Sequence, residues 1–233
     1  MKNLCTICMR GGSKGVPNKN LRKLIDKPLL AYTITQAIES NLFEYVVVST
    51  DSEEIANESK NYGAESWFLR SKELATDTAA KVPVIRDALL RSELFFKCEF
   101  DNIIDLDATS PLRGIDDITN SYNQFINENA DNLISACDSR KSPYFNLIEK
   151  DDNGIKLVKK NERKIVRRQD APKTYDMNAS IYIWKRNILL NYDNLFLKKT
   201  SLYTMPEERS IDIDTELDWK FVEFLLMEKI HND

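Results

Sequence analysis

Through its first 137 residues the chain alternates short apolar runs with segments of helical periodicity, and that rhythm constrains its fold more than any other feature. Residues 3–9 (NLCTICM), 45–49 (YVVVS), 102–106 (NIIDL) and 132–137 (NLISAC) read as buried strands, with a shorter piece at 66–69. Between them, 28–40, 52–62, 81–92 and 116–128 carry apolar side chains at helical spacing. Ser52 followed by Glu53 and Glu54 suits a helix start, because carboxylates oppose the positive end of the helix dipole. Buried strands separated by helices imply an α/β protein with a mainly parallel sheet covered on both faces. Ligands of such sheets bind beyond the carboxyl ends of the strands, near a point where strand order reverses. The loops after Met9, Ser49 and Leu106 are therefore the first places to look for a site.

The rhythm breaks after Cys137. Residues 138–178 are polar, with strand-like pieces at 144–149 and 155–159 and a basic stretch, KIVRRQ, which together read as an antiparallel excursion from the sheet. A strand returns at 180–184 and a last helix spans 215–229. A chain of 233 residues fits one domain that buries its own core without disulfides or a structural metal.

Several function classes fall away. The formal net charge of −4 argues against nucleic acid as a partner, since domains that bind it are usually basic. No apolar run approaches the ~18 residues that span a bilayer. The N-terminal MKNLCTICMRGG lacks the apolar length and cleavage pattern of a secretory leader, so a soluble, cytoplasmic protein is expected. The single histidine, His231, disfavours Ser-His-Asp triads and His-ligated zinc. Cys5 and Cys8 form a C-x-x-C, but residues three apart on a strand point to opposite faces, so they read as buried reduced thiols.

The sharpest chemical signal is the loop Arg10-Gly-Gly-Ser-Lys-Gly-Val-Pro-Asn-Lys-Asn20, directly after the first strand. Three of the chain's six glycines lie between residues 11 and 15, so the backbone here passes close to something. Backbone N–H groups of Gly11, Gly12 and Ser13, with Lys14 and Lys19, would cradle phosphates. The loop matches neither G-x-x-x-x-G-K-[ST] nor G-x-G-x-x-G, which disfavours P-loop ATPases and dinucleotide dehydrogenases. The competing reading is a plain glycine turn with solvated lysines.

A second signal is Ser210-Ile-Asp-Ile-Asp214. Alternation puts Asp212 and Asp214 on one face of an extended segment, with Cα atoms about 6.5–7 Å apart. Oxygen ligands near phosphates suit Mg²⁺; alternatively, Asp214 caps the last helix and Asp212 is solvated. Weaker polar candidates are Asp107, Thr109, Ser110 and Arg113 at a strand end, and Arg168 and Asn178.

In order, RGGSKGVPNKN, WFLRSKELATDTA, ATSPLR, RQDAP…MNASIYI and SIDIDTELD resemble the motifs of CMP-sialic acid synthetases, the acylneuraminate cytidylyltransferases, over nearly the whole chain. The resemblance implies a Rossmann-like nucleotidyltransferase: a mixed, mainly parallel sheet flanked by helices, with a small antiparallel dimerisation excursion. It further implies a homodimer that uses Mg²⁺ to join CTP to a nonulosonic acid, releasing pyrophosphate. Arg10, Lys14, Lys19, Asn20 and Arg70 resemble nucleotide contacts, Asp212 and Asp214 metal ligands, and Arg168 and Asn178 positions near the sugar acid. Arg10, Lys14, Lys19 and Asp212 are the expected catalytic set.

Three departures bear on the sugar. Asp107 stands where many sialic acid enzymes have a glutamine that contacts the sugar. Asn178-Ala179 stands for Asn-Gly, and Phe145 for a lysine. A legionaminic-type sugar is at least as well matched as N-acetylneuraminate. The rivals are a CMP-Kdo synthetase or another sugar nucleotidyltransferase, and a nucleotide-binding module without catalysis.

Overall fold

Residues 1–152, 154–160 and 167–232 are described in the computed structural model of the chain. In chain order the elements are β1 (Asn3–Cys8), β2 (Lys23–Leu24), β3 (Lys27–Pro28), α1 (Leu29–Glu39), β4 (Tyr45–Ser49), α2 (Glu53–Asn61) and α3 (Lys81–Phe96). They continue as β5 (Asn102–Leu106), α4 (Ile115–Asn127), β6 (Asn132–Asp138), β7 (Ile148–Asp151), β8 (Gly154–Leu157), β9 (Tyr175–Lys185), α5 (Arg186–Asn191), β10 (Thr200–Thr204) and α6 (Glu216–Asn232).

Six strands form one sheet in the order β10-β6-β9-β5-β1-β4. All neighbours are parallel except β9, which runs antiparallel to both β5 and β6. Strand order reverses at β1, with β4 on one side and β5 on the other, so the loops after β1 and β5 open at a switch point.

Two cores cover the faces of the sheet. Cys5, Ile7 and Met9 pack on one face with α1, α2 and α4; Leu4 and Cys8 belong to the other, under α3 and α5. The two thiols of the C-x-x-C therefore diverge as strand geometry requires. Burial pushes both well above the usual thiol range, which makes them poor metal or redox ligands. A third cluster lies off the sheet. Val16, Leu24 and Leu29 from the N-terminal segment pack against Ile213, Trp219 and Val222 from the C-terminal one, all fully or almost fully buried.

Some sequence expectations shift. The piece at 66–69 is not a strand: isolated bridges, Val47 with Glu65 and Thr50 with Leu69, and a bond from the Ser66 hydroxyl to the Val48 carbonyl hold it beside β4. Trp67 instead stacks on Phe95 at 4.3 Å. Residues 144–147 form a turn gathered on the Ser142 carbonyl, so the expected strand at 144–149 starts only at Ile148. The returning strand begins at Tyr175 rather than 180, because a bulge between Ile134 and Ala136 lets it pair with β6 on both sides. There the Ser135 hydroxyl donates to Asn178 Oδ1 and accepts from the Ile181 N–H, at 2.7 and 2.8 Å. The bulge holds Ala179 at φ 54°, a conformation glycine adopts far more readily. Neither α5 nor β10 was apparent in the apolar periodicity.

Candidate active site

The loop after β1 runs across the carboxyl ends of the strands and meets the segment before α6. A Cβ built on Gly15 would lie 1.9 Å from the Asp214 carbonyl oxygen, so only glycine fits this crossing. Lys19 spans the same seam: its ammonium donates to the Ile213 carbonyl at 2.7 Å and lies 3.4 Å from the Asp214 carboxylate. The Ile213 N–H donates to the Thr109 carbonyl at 3.0 Å, which ties the acidic segment to the loop after β5. Behind the seam, Arg22 pairs with Glu216 at 2.6 Å and stacks over Trp219 at 4.1 Å. Residues about 195 apart in sequence are thus held as one wall.

The cleft measures about 360 Å³ and is lined by Arg10, Lys14 and Lys19 together with Asp107, Asp212 and Asp214. Ser13, Gly15, Asn20, Arg70 and Thr109 also line it. Three lining residues carry buried polar atoms without a protein partner: Asn20 Oδ1, Arg70 Nε and Asp212 Oδ1. Buried polar groups are nearly always bonded, so orphaned atoms around one cavity point to a polar ligand there. Asn20 and Arg70 are themselves braced by the loop, Asn20 donating to the Arg10 carbonyl at 3.2 Å and Arg70 to the Met9 carbonyl at 2.7 Å.

The acidic pair is not a helix cap. That role falls to Thr215, whose hydroxyl accepts from the Asp218 N–H while the Asp218 carboxylate accepts from the Thr215 N–H, at 3.3 and 2.7 Å. Asp214 is left largely exposed on the cavity. Burial, and then the neighbouring Asp107 carboxylate, push Asp212 up to about 6. Asp107 itself behaves oppositely. Burial works to raise it, but the Lys81 ammonium at 2.9 Å and the Thr109 N–H and hydroxyl at 3.1 and 2.8 Å bring it down to about 2.

Five of the expected site residues stand back from the cavity wall. Gly11 donates its N–H to Asp51 at 2.9 Å, and neither it nor Gly12 lines the cavity. Ser110 is fully buried and outside the lining. Arg113 is corrected from a sugar contact to a pillar of the sheet. Only 1% exposed, its guanidinium donates to the Asp107 and Ser180 carbonyls, Thr33, Gln36 and the Ser180 hydroxyl. Asn178 is likewise spent inside the protein. It accepts from Ser135 and the Ser180 N–H, and donates toward Met205 and Ser210. Insertion of antiparallel β9 beside β5 causes both changes, by bringing residues 178–180 over the loop that holds Arg113. The Arg168 side chain lies outside the described residues.

Sequence reasoning missed Asp77 and Lys81. The Asp77 carboxylate bridges Arg10 and Lys14 across the mouth of the cavity, and those contacts hold it below the usual carboxylate range. Lys81 joins Asp105 and Asp107 in the floor. The available signal for both was the run ELATDTAAK, charged residues in a loop that precedes a helix.

A switch-point α/β sheet, a glycine-crossed cationic loop and an acidic pair on one cavity define a nucleotidyl-transfer enzyme. The cytidylyltransferase family model matches residues 4–231, and the chain belongs to that family. It is 56% identical over 226 residues to "Post-translational flagellin modification protein B" of Campylobacter coli, covering 97% of this chain and 95% of the relative. To "CMP-N,N'-diacetyllegionaminic acid synthase" of Campylobacter jejuni it is 54% identical over 223 residues, covering 96% and 94%. A solved CMP:2-keto-3-deoxy-manno-octonic acid synthetase complexed with CTP shares the fold, at TM-score 0.70 and 16% identity over 98% of this chain and 100% of that one.

Proposed function

We propose that the enzyme transfers CMP from CTP to the anomeric 2-hydroxyl of a nonulosonic acid of the N,N'-diacetyllegionaminic type, releasing pyrophosphate. The observation that carries this reading is the Gly15–Asp214 crossing, which puts the cationic loop and the acidic pair on one cavity. The name of the 54% identical relative supplies the acceptor class.

The reaction forms a bond between the sugar oxygen and the α-phosphorus, breaks the bond between that phosphorus and the bridging oxygen, and releases the hydroxyl proton to solvent. Such a displacement asks the protein mainly for positioning and charge stabilisation. Arg10 and Lys14 would hold the outer phosphates once their contacts to Asp77 are exchanged for phosphate oxygens. Lys19, fixed by the Ile213 carbonyl, would stabilise charge developing on the departing pyrophosphate. Arg70 Nε and Asn20 Oδ1 supply a donor and an acceptor for the nucleoside.

The donor set fits Mg²⁺. Among the described residues no group of three or more His, Cys, Asp or Glu could hold a metal. A pair of carboxylates completed by substrate phosphates is a common way of binding this ion. Asp212, with its orphaned buried oxygen, and Asp214 would hold it. When bound, Mg²⁺ supplies Lewis-acid polarisation of phosphate oxygens.

The reading extends to a homodimer. Ile148, Ile155 and Leu157 of the β7–β8 hairpin are 61%, 70% and 37% exposed, and a hairpin of this kind is marginal alone. A single domain with its excursion at 138–178, working in the cytoplasm, completes the proposal; no described helix is long and apolar enough to cross a membrane.

The test is incubation with CTP, Mg²⁺ and, separately, N,N'-diacetyllegionaminic acid, N-acetylneuraminic acid and 2-keto-3-deoxy-manno-octonic acid, with products identified by mass. Conversion of the first is expected. Conversion of the octonic acid alone would move the assignment to that rival, and CTP binding without any product would leave a nucleotide-binding module.

A further inference from the structure

Lys81 is the first residue of α3, and nothing local favours it there. The preceding Ala80 makes no side-chain cap, the first turn has no acidic residue, and a cation faces the positive end of the helix dipole. A position that breaks a local rule yet has defined tertiary partners is where function is to be sought. The partners of Lys81 are unusually well defined. Its ammonium lies 2.9 Å from Asp107 Oδ2, 3.2 Å from Asp105 Oδ2 and 4.6 Å from the centre of the Tyr182 ring. Asp105 is 1% exposed and accepts from the Thr6 hydroxyl at 2.9 Å, so the base of the cluster is fixed in the sheet. Asp107 Oδ1 is already taken by Thr109. Lys81 and Asp107 both line the cavity.

The charges here leave Lys81 a specific task. Asp107, Asp212 and Asp214 all line the cavity. Lys19 serves Asp214. Asp107 has one cation, Lys81. With that ammonium in place, shared between cavity-lining Asp107 and buried Asp105, the wall presents a compensated carboxylate to an arriving molecule. Without it the wall is a bare, partly buried carboxylate that repels an anion.

We propose that Lys81 is a specificity-determining residue, whose ammonium neutralises Asp107 in the cavity wall and so admits an acceptor sugar that itself bears a carboxylate. The proposal rests on the reading of the site as CMP transfer to a sugar acid. It separates the two substrates by wall: the nucleotide depends on Arg10, Lys14 and Lys19, the acceptor on the Lys81–Asp107 pair.

The experiment compares wild type, Lys81→Met, Lys81→Arg, Asp107→Asn and the double variant Lys81→Met/Asp107→Asn. KM for CTP and KM for N,N'-diacetyllegionaminic acid are measured separately, with Tm alongside. Removing one partner of a desolvated charge pair leaves the other uncompensated, so Lys81→Met raises acceptor KM about tenfold or more. KM for CTP stays within about twofold. Lys81→Arg keeps the charge and keeps acceptor KM near wild type. The double variant recovers most of the loss, because the cavity wall no longer carries an unpaired Asp107 carboxylate; Asp105, 1% exposed, keeps its Thr6 hydroxyl. A merely structural lysine would instead lower Tm, shift both KM values together and show no recovery in the double variant. Equal acceptor KM in Lys81→Met and the double variant overturns the proposal while wild-type turnover keeps the functional reading intact. A wild type that converts no sugar acid overturns that reading and this inference with it.

Discussion

Two regions that both leave the central sheet are built on opposite principles. The seam between the loop after β1 and the segment before α6 has its own core of Val16, Leu24, Leu29, Ile213, Trp219 and Val222, and close polar ties at Lys19 and Ile213. The excursion between β6 and β9 has a two-stranded hairpin whose strand residues, 148–151 and 154–157, are all exposed, and charge pairs such as Lys156 with Asp151 at its surface. The difference separates a region that the chain covers by itself from one that it leaves uncovered. The proposed phosphate site lies on the first, whereas the excursion offers apolar side chains with little of the same chain to cover them.

The sharpest way to break the contrast is Gly15→Ala. Its Cβ would overlap the Asp214 carbonyl, so the loop and acidic pair must separate. We expect pyrophosphate release to fall by about 10³ or more and stability by about 1–3 kcal/mol. Lys19→Ala removes charge while leaving the crossing, and should cost about 10²–10³ in kcat with folding intact by circular dichroism. Near-normal turnover would remove this lysine from the mechanism.

Asp212→Asn sets activity against stability. The folded carboxyl titrates at about 6, above its unfolded value of about 3.9, so the favourable contribution of its protonated form is present below pH ~4 and lost as pH rises through 6. The amide avoids that loss. Metal-free Asp212→Asn should therefore be about 1–3 kcal/mol more stable than wild type at pH 7.5, with no gain at pH 4, while turnover is abolished. Urea melts at the two pH values check the sign.

Ile155→Glu, in the excursion, should leave the stability of the sheet within about 0.5 kcal/mol but shift sedimentation toward the monomer. Unchanged sedimentation would detach the hairpin from assembly. The smallest effect is expected from Ala179→Gly, which relieves a left-handed residue at φ 54° and should raise stability by up to about 1 kcal/mol in thermal melts.

What could be read in the sequence follows the range of the interaction that decides it. Parallel strands, the helix opened by Ser52 and the divergence of Cys5 and Cys8 depend on periodicity within a few residues, and were legible. The glycine loop advertised a close approach, though not that the Asp214 carbonyl was the neighbour. Arg113 was misread because its burial depends on Thr33, Gln36 and Ser180, brought in by α1 and β9 from up to 80 residues away. Asp77 and Lys81 escaped notice because each looks like ordinary loop or helix-end charge until the sheet places its partner. The edge strand β10 escaped because only Ser201 of its five residues is fully buried, leaving little apolar alternation to detect.

The link between Lys19 and Ile213 spans 194 positions of the polypeptide. During translation, then, the basic loop leaves the ribosome long before the aspartates that will oppose it exist. On the proposed assignment, competence would arrive only when the stretch carrying Asp212 and Asp214 has emerged and docked, so products clipped ahead of Asp212 would be barren, whatever sheet they have managed to form.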